Sequence, residues 1–144
     1  MSRKILLTGS RYLLTPEMYQ KTRELVVEAF GNKEEILCGD ADGIDAFVIR
    51  LCDDLAIPLT VYGGYKTFRN KSSRPECNVP FDGDFKERDR HMASLCDQCF
   101  AIWNGRSNGT RSTFMAARLA GKDVKVFEYG NEDMEETKDS GLLV

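Results

Sequence analysis

The chain has 144 residues, 42% of them hydrophobic, with a net charge of −3. That is the length of one domain with enough apolar content for a core, and the charge gives no global argument for nucleic acid. No apolar run approaches the ~20 residues that span a bilayer and no signal-peptide pattern is visible, so a cytoplasmic protein is expected. In chain order, residues 4–7 are a short apolar run and predict a buried first strand. Thr15, Pro16 and Glu17 then supply an N-cap, a proline at the first helical position and an acid in the first turn. Met18, Thr22, Leu25, Val26 and Ala29 follow at helical spacing, and Gly31 closes the helix. Residues 35–38 predict a second strand. Ile44, Phe47, Val48, Leu51 and Leu55 mark one face of a second helix, and 58–62 a third strand opened by proline.

Residues 63–83 break this rhythm. Glycines and prolines punctuate a stretch that holds Lys66, Arg69, Lys71 and Arg74, and a connection of this length is usually functional or mobile. Helical spacing returns over 85–95, a fourth strand is expected at 98–103, an alanine-rich helix at 114–120 and a fifth strand at 124–127. Strict alternation of strands and helices predicts an α/β protein, a Rossmann-like three-layer sandwich. Its parallel sheet is expected to have five strands in the order 3-2-1-4-5. The domain is expected to run over residues 1–127, with 63–83 as a basic insert and 128–144 as an acidic tail. From Glu128 onward six acids face Lys138 alone, a charge of −5, which leaves the body at +2. The five cysteines are odd in number and lack framework spacing, as expected of buried, reduced thiols. Cys96 and Cys99 have no second pair to complete a zinc site.

Three loops leaving strands carry the glycines and small polar residues: Thr8-Gly9-Ser10-Arg11, then Gly39-Asp40-Ala41-Asp42-Gly43, then Asn104 to Thr110. A loop between a strand and a helix points backbone N–H groups beyond the strand ends, the way phosphates are cradled. In the expected strand order the chain reverses between strands one and four, where such folds bind ligands. Asn104, Gly105, Ser107, Gly109 and Thr110 are the stronger anion candidate, although a turn with Thr110 as N-cap would look similar. Gly9, Ser10 and Arg11 would face it, the guanidinium suiting phosphate or carboxylate. Asp40, Asp42, Gly43 and Asp45 surround the start of the second helix. Capping alone would account for Asp42, whereas carboxylates there also suit ribose hydroxyls or general acid–base work. Metal binding by these acids lacks further ligands, and neither a metal nor a cofactor is expected. Trp103 ends the fourth strand and is read either as a stacking surface for a base or as core. His91 has no partner at motif spacing, so a nucleophilic triad is not expected.

These motifs, in this order and spacing, resemble the SLOG superfamily. That group includes the Lonely Guy phosphoribohydrolases and DNA-processing protein A, and the likeness is strongest to its small members of the YspA type. The likeness rests on the T-G-S-R loop at Thr8–Arg11, G-x-A-x-G-x-D at Gly39, Ala41, Gly43 and Asp45, and an R-N-R-x-M start at Arg88, Arg90 and Met92 with Asp89 in place of asparagine. Gly109-Thr110 supplies a G-T helix entry. It covers residues 3–127. The resemblance implies binding of a nucleotide or nucleotide-derived small molecule, in a sensor, sponge or carrier role, and a homodimer or higher assembly. In the hydrolase branch a glutamate and an arginine cleave an N-glycosidic bond. Here Thr113 stands where that glutamate is expected, so in a nucleoside 5′-phosphate hydrolase Asp45 or Asp42 would supply the carboxylate and Arg88 or Arg11 hold the phosphate. A third expectation is single-stranded nucleic-acid binding through Lys66, Arg69, Lys71, Arg74, Arg88 and Arg90, with Tyr65 and Phe68 stacking on bases.

Overall fold

Strand β1 (Lys4–Gly9) alternates its apolar side chains between two layers, and that alternation sets the architecture. Ile5 and Leu7 pack with Met18, Val26, Val48 and Cys52 on one face, while Leu6 packs with Met92, Cys96, Phe114 and Ala117 on the other. Ile36 and Cys38 of β2 (Glu35–Cys38) join the first layer and Leu37 the second. A sheet buried on both faces needs helices on both. These are α1 (Pro16–Gly31) and α2 (Ile44–Asp54) on the first side, α3 (Phe85–Leu95) and α4 (Asn108–Leu119) on the second. This computed structural model describes residues 2–130.

The remaining strands are β3 (Leu59–Gly63), β4 (Asn78–Pro80), β5 (Gln98–Trp103) and β6 (Asp123–Glu128). All pairings are parallel, in the order β4-β3-β2-β1-β5-β6. The sheet therefore has six strands where five were expected. The added strand is β4, inside the 63–83 stretch. Val61 pairs with Asn78 and Gly63 with Pro80, too short a run for sequence periodicity to announce. The five expected strands keep their expected order, and the switch point falls between β1 and β5.

The 63–83 stretch is well tied down. Asp53 at the end of α2 accepts hydrogen bonds from Ser72 Oγ (2.6 Å), Ser73 N (2.8 Å) and Arg74 Nε (3.0 Å). Ser72 and Asn78 bond each other twice, and Arg74 also donates to the Ile57 carbonyl. These bonds hold Asp53 below the usual carboxylate range against the opposing effect of its partial burial.

Helix ends follow local chemistry. Thr15 caps α1 as expected, its Oγ1 accepting from Met18 N at 3.2 Å. A capping box opens α3, with Asp84 accepting from Glu87 N and Glu87 from Asp84 N, both at 2.8 Å. Three expectations are corrected. Gly43, and not Asp42, is the N-cap of α2, at φ +83°. Helix α4 begins at Asn108 and not near 114, capped by Ser107 and not by Thr110. At the other end of α2, Leu55 is the C-cap and half-exposed, off the buried face it was assigned to.

All five cysteines are buried free thiols. Burial pushes Cys52 up to about 12 and raises Cys38, Cys96 and Cys99 as well, which keeps them protonated and unreactive. No helix among the described residues is long and apolar enough to cross a membrane. The expected acidic tail lies, beyond Gly130, outside the described residues.

Candidate functional site

The loops after β1, β2 and β5 leave the same edge of a parallel sheet, so the strand order brings them together. Gly9 is held between strand and helix. Ser10 N donates to the Ile102 carbonyl, and the Ser10 carbonyl accepts from Ile44 N. A Cβ at Gly9 would lie 2.5 Å from the Ile44 side chain, so the close approach of α2 to β1 requires glycine there. Gly43 is equally constrained, by its positive φ and by the Ser10 and Arg11 backbone.

A cavity of about 400 Å³ opens among these loops. Gly9, Arg11 and Tyr12 line it from the first loop, Gly39, Ala41 and Asp45 from the second, and Ser107, Asn108, Gly109 and Thr110 from the third. Helix α3 adds Phe85, Arg88, Asp89 and Met92, and the insert adds Arg69. Of the expected site residues, Gly9, Arg11, Gly39, Asp45, Arg88, Ser107, Gly109 and Thr110 meet at this cavity.

The others hold its walls. Ser10 Oγ is buried and accepts from Asn104 N at 2.9 Å. Asn104 Oδ1 accepts from Arg106 N and Ser107 N, while its amide donates to the Tyr12 carbonyl. Gly105 turns that loop at φ +82°. Asp42 is exposed and accepts from Asn70 Nδ2. Trp103 does not face the cavity. Its indole donates to the Ser107 carbonyl at 2.9 Å and packs edge-on against Phe114. The stacking expectation for Trp103 is thus replaced by a structural one, because an indole N–H in a half-buried place takes the nearest carbonyl.

Charge is concentrated in the floor. Arg88, buried, donates from Nε to Asp89 (2.9 Å) and from Nη1 to Asp40 (2.9 Å) and to the Tyr62 carbonyl (2.8 Å). Three of its five N–H groups are thereby committed to the protein, so Arg88 positions the acids more than it offers itself to a phosphate. Asp40, 1% exposed, also accepts from Arg69 N (2.8 Å) and Arg69 Nη2 (2.7 Å). Burial opposes its ionisation, but the bonds from Arg69 and Arg88 hold Asp40 below the ordinary carboxylate range.

Asp45 is the opposite case. Its Oδ2 accepts from Ala41 N at 3.2 Å, while Oδ1 is buried without a hydrogen-bond partner. Burial raises its carboxyl to about 7 although Arg88 pulls it down, and Asp89 and Asp40 add to the rise. Asp89, also buried, is raised too, burial outweighing the neighbouring Arg88 and the Thr113 hydroxyl. Gly39 lets this cluster close up, since a Cβ there would fall 2.9 Å from Arg88 Nη1 and 3.0 Å from Asp45 Oδ2.

Across the cavity stands the start of α4. Ser107 Oγ takes Thr110 N at 3.5 Å, and the Ser107 carbonyl takes Arg111 N. The helix itself has no acceptors for the Asn108 and Gly109 N–H groups, which occupy its positive end. Arg69, its side chain 35% exposed, lies over the Phe85 ring at 4.2 Å. Arg11 is exposed at the rim.

Sequence reasoning placed Arg69 on a nucleic-acid track and overlooked Tyr12 and Phe85 as lining residues. Thr113, standing where the motif has glutamate, Asp89, standing where it has asparagine, and Asn108, inside the third loop, carried a signal and line the cavity. The nucleic-acid track itself is largely dispersed. Arg69 pairs with Asp40, Arg74 with Asp53, Lys66 with Asp82 at 3.8 Å, and Arg88 with two acids. Phe68 packs against the core, and only Tyr65 of the two expected stacking rings is exposed.

The sequence matches no protein-family model and no curated protein. Solved structures do share the fold. The molybdenum cofactor binding protein of the phototrophic bacterium Rippkaea orientalis has a TM-score of 0.77 at 15% identity, covering 97% of this chain and 85% of that one. The molybdenum cofactor carrier protein MCP of Chlamydomonas reinhardtii has a TM-score of 0.70 at 15% identity, covering 97% and 85%. DNA processing protein A of Helicobacter pylori, described with a single-stranded DNA binding mode, has a TM-score of 0.68 at 18% identity, covering 96% and 73%. At these identities the likeness is one of fold, a Rossmann-like α/β architecture with a parallel sheet.

Proposed function

We propose that this SLOG-type domain binds a nucleotide or a nucleotide-derived small molecule in the cavity between β1 and β5, as sensor, sponge or carrier. The observation that carries the reading is the pairing of the α4 N-terminus with Arg11 and Arg69 around a cavity of about 400 Å³. Backbone donors at a helix start, backed by arginines, suit a phosphate. The volume lies at the small-ligand end of the roughly 300–1,000 Å³ that such sites enclose. Likeness to a molybdenum cofactor carrier and a cofactor binding protein supports a small-molecule role without naming the molecule.

The test is mass spectrometry of whatever small molecule copurifies, followed by calorimetric titration of the four common nucleoside 5′-monophosphates. Binding of a nucleotide by wild-type protein, weakened by Arg11→Ala, is expected. The absence of any nucleotide affinity would refute the reading.

One observation favours a second reading, hydrolysis of the N-glycosidic bond of a nucleoside 5′-phosphate. Asp45, raised to about 7 and beside a second buried acid, Asp89, has the environment of a general acid. Chromatographic detection of free base from nucleoside monophosphates, abolished in Asp45→Asn, would establish it. An intact nucleotide after prolonged incubation with protein that binds it would exclude it. Single-stranded nucleic acid is the weakest of the three readings, because four of the six cations invoked for it, Lys66, Arg69, Arg74 and Arg88, are paired within the fold.

A further inference from the structure

Asp45 presents a problem that the protein alone leaves unsolved. Its carboxyl is 6% exposed, lines the cavity and has one oxygen, Oδ1, with no hydrogen-bond partner. The other oxygen is settled on Ala41 N over the bare backbone of Gly39. The neighbouring guanidinium does not complete the set, because Arg88 directs Nε to Asp89 and Nη1 to Asp40 and Tyr62. A buried acceptor left unsatisfied is costly, and such exceptions call for a partner from outside the chain. The opposite wall has the complementary surplus, the Asn108 and Gly109 N–H groups at the positive end of a twelve-residue helix.

Resting on the nucleotide reading above, we infer that Asp45 Oδ1 is the seat for a hydroxyl or amino donor of the bound ligand, opposite an anion seat on the first turn of α4. The site is thus two-ended. It selects molecules that carry both an anionic group and a neutral O–H or N–H, and it discriminates against anions that lack the donor. A free sugar hydroxyl and an exocyclic amino group of a base share that chemistry. The contribution of Asp45 is to specificity: a hydrogen bond to a charged acceptor in a buried site is made only by ligands that bring the donor.

Two variants separate the ends. Asp45→Asn replaces the acceptor charge while keeping the shape of the side chain. Gly109→Ala adds a methyl group at the anion seat, and it meets nothing within 4 Å in the protein, so the fold tolerates it. Calorimetric titration at pH 8 would use inorganic phosphate, ribose 5-phosphate, the four nucleoside 5′-monophosphates and 2′,3′-dideoxyadenosine 5′-monophosphate. In wild-type protein, donor-bearing ligands are expected to bind at least about tenfold more tightly than phosphate, the size of effect one charged hydrogen bond supplies. Asp45→Asn should reduce that advantage to under about threefold, whereas Gly109→Ala should weaken phosphate and sugar phosphate alike and preserve their ratio. Loss of the ribose 5-phosphate advantage identifies a hydroxyl donor. Loss seen with the dideoxy nucleotide but not with ribose 5-phosphate identifies an amino donor. Nucleotide binding with a ratio to phosphate that Asp45→Asn leaves unchanged would overturn the inference, Oδ1 then being served by water, while leaving the nucleotide reading in place. No binding of any nucleotide would overturn both.

Discussion

Replacing Asp45 by asparagine should make the folded protein more stable, by an amount that grows with pH. The carboxyl titrates near 7 in the fold against 3.8 when free of it, chiefly because burial disfavours its charge. The native state therefore holds a proton that the unfolded chain has released, and between these two values each rise in pH favours unfolding. Below 3.8 both states are protonated and nothing is lost. Above 7 both are ionised and the loss stops growing. A shift of this size at 1.36 kcal/mol per pH unit amounts to about 4 kcal/mol at pH 8, of which about 2 kcal/mol is already present at pH 5. Asparagine keeps an acceptor for Ala41 N and carries no charge, so it removes this dependence. The groups facing Asp45 are Arg88, Asp89 and Asp40, together with the Ala41 N–H. Losing the attraction of Arg88 will take back part of the gain. Urea unfolding of wild type and Asp45→Asn at pH 5, 6, 7 and 8 measures it, with the m-value confirming that both unfold as the same unit. The expected stability difference widens by about 2–3 kcal/mol from pH 5 to pH 8 in favour of asparagine. A difference that stays constant over that range would show that Asp45 is not a buried acid with a raised pKa, and the general-acid reading would fall with it.

Other perturbations test neighbouring parts of the structure. Gly9→Ala forces a methyl group to within 2.5 Å of Ile44 and should destabilise by about 1–3 kcal/mol, read as a lower urea midpoint. Gly109→Ala, with open space and a helical backbone, should instead stabilise by about 0.4–1 kcal/mol in the same measurement. Arg88→Met leaves Asp40 and Asp89 without their shared cation and should cost about 3–5 kcal/mol, enough for a marked fall in the thermal midpoint. Ser107→Ala removes the cap of α4 and should cost about 1 kcal/mol, with reduced amide-exchange protection confined to the first turn.

The fold was legible where hydrophobic period and turn chemistry agreed. The short apolar runs of β1 and β2, the Thr15–Pro16 start of α1 and the β/α rhythm sufficed to order five strands. What escaped notice was local or long-range. The three residues of β4 are too few to show a period, and their pairing with β3 depends on Ser72, Asn78 and Asp53, which meet only after folding. The start of α4 was placed late because two glycines suggested a continuing loop, whereas the hydroxyl of Ser107 begins the helix at Asn108. At the site, glycine spacing located the cavity but could not apportion its charges. Arg88 and Asp45 were singled out together, yet only the packing over Gly39 shows that one is largely committed to the protein and the other is left with a bare oxygen. Arg69 reaches Asp40 across 29 positions of sequence, a pairing no local pattern contains.

Strand β4 bears on more than the count of strands. Without it, β3 would end the sheet with five residues whose N–H and C=O groups lay open on one side beside the buried Leu59 and Val61. An exposed edge of that kind is a template for unwanted pairing with another chain. The 63–83 stretch closes it with a strand of three residues that ends in Pro80, a residue with no N–H to offer a further neighbour. Expected as a basic insert, this segment supplies the strand that covers one margin of the sheet. Shortening it should therefore be felt in solubility as well as in ligand affinity.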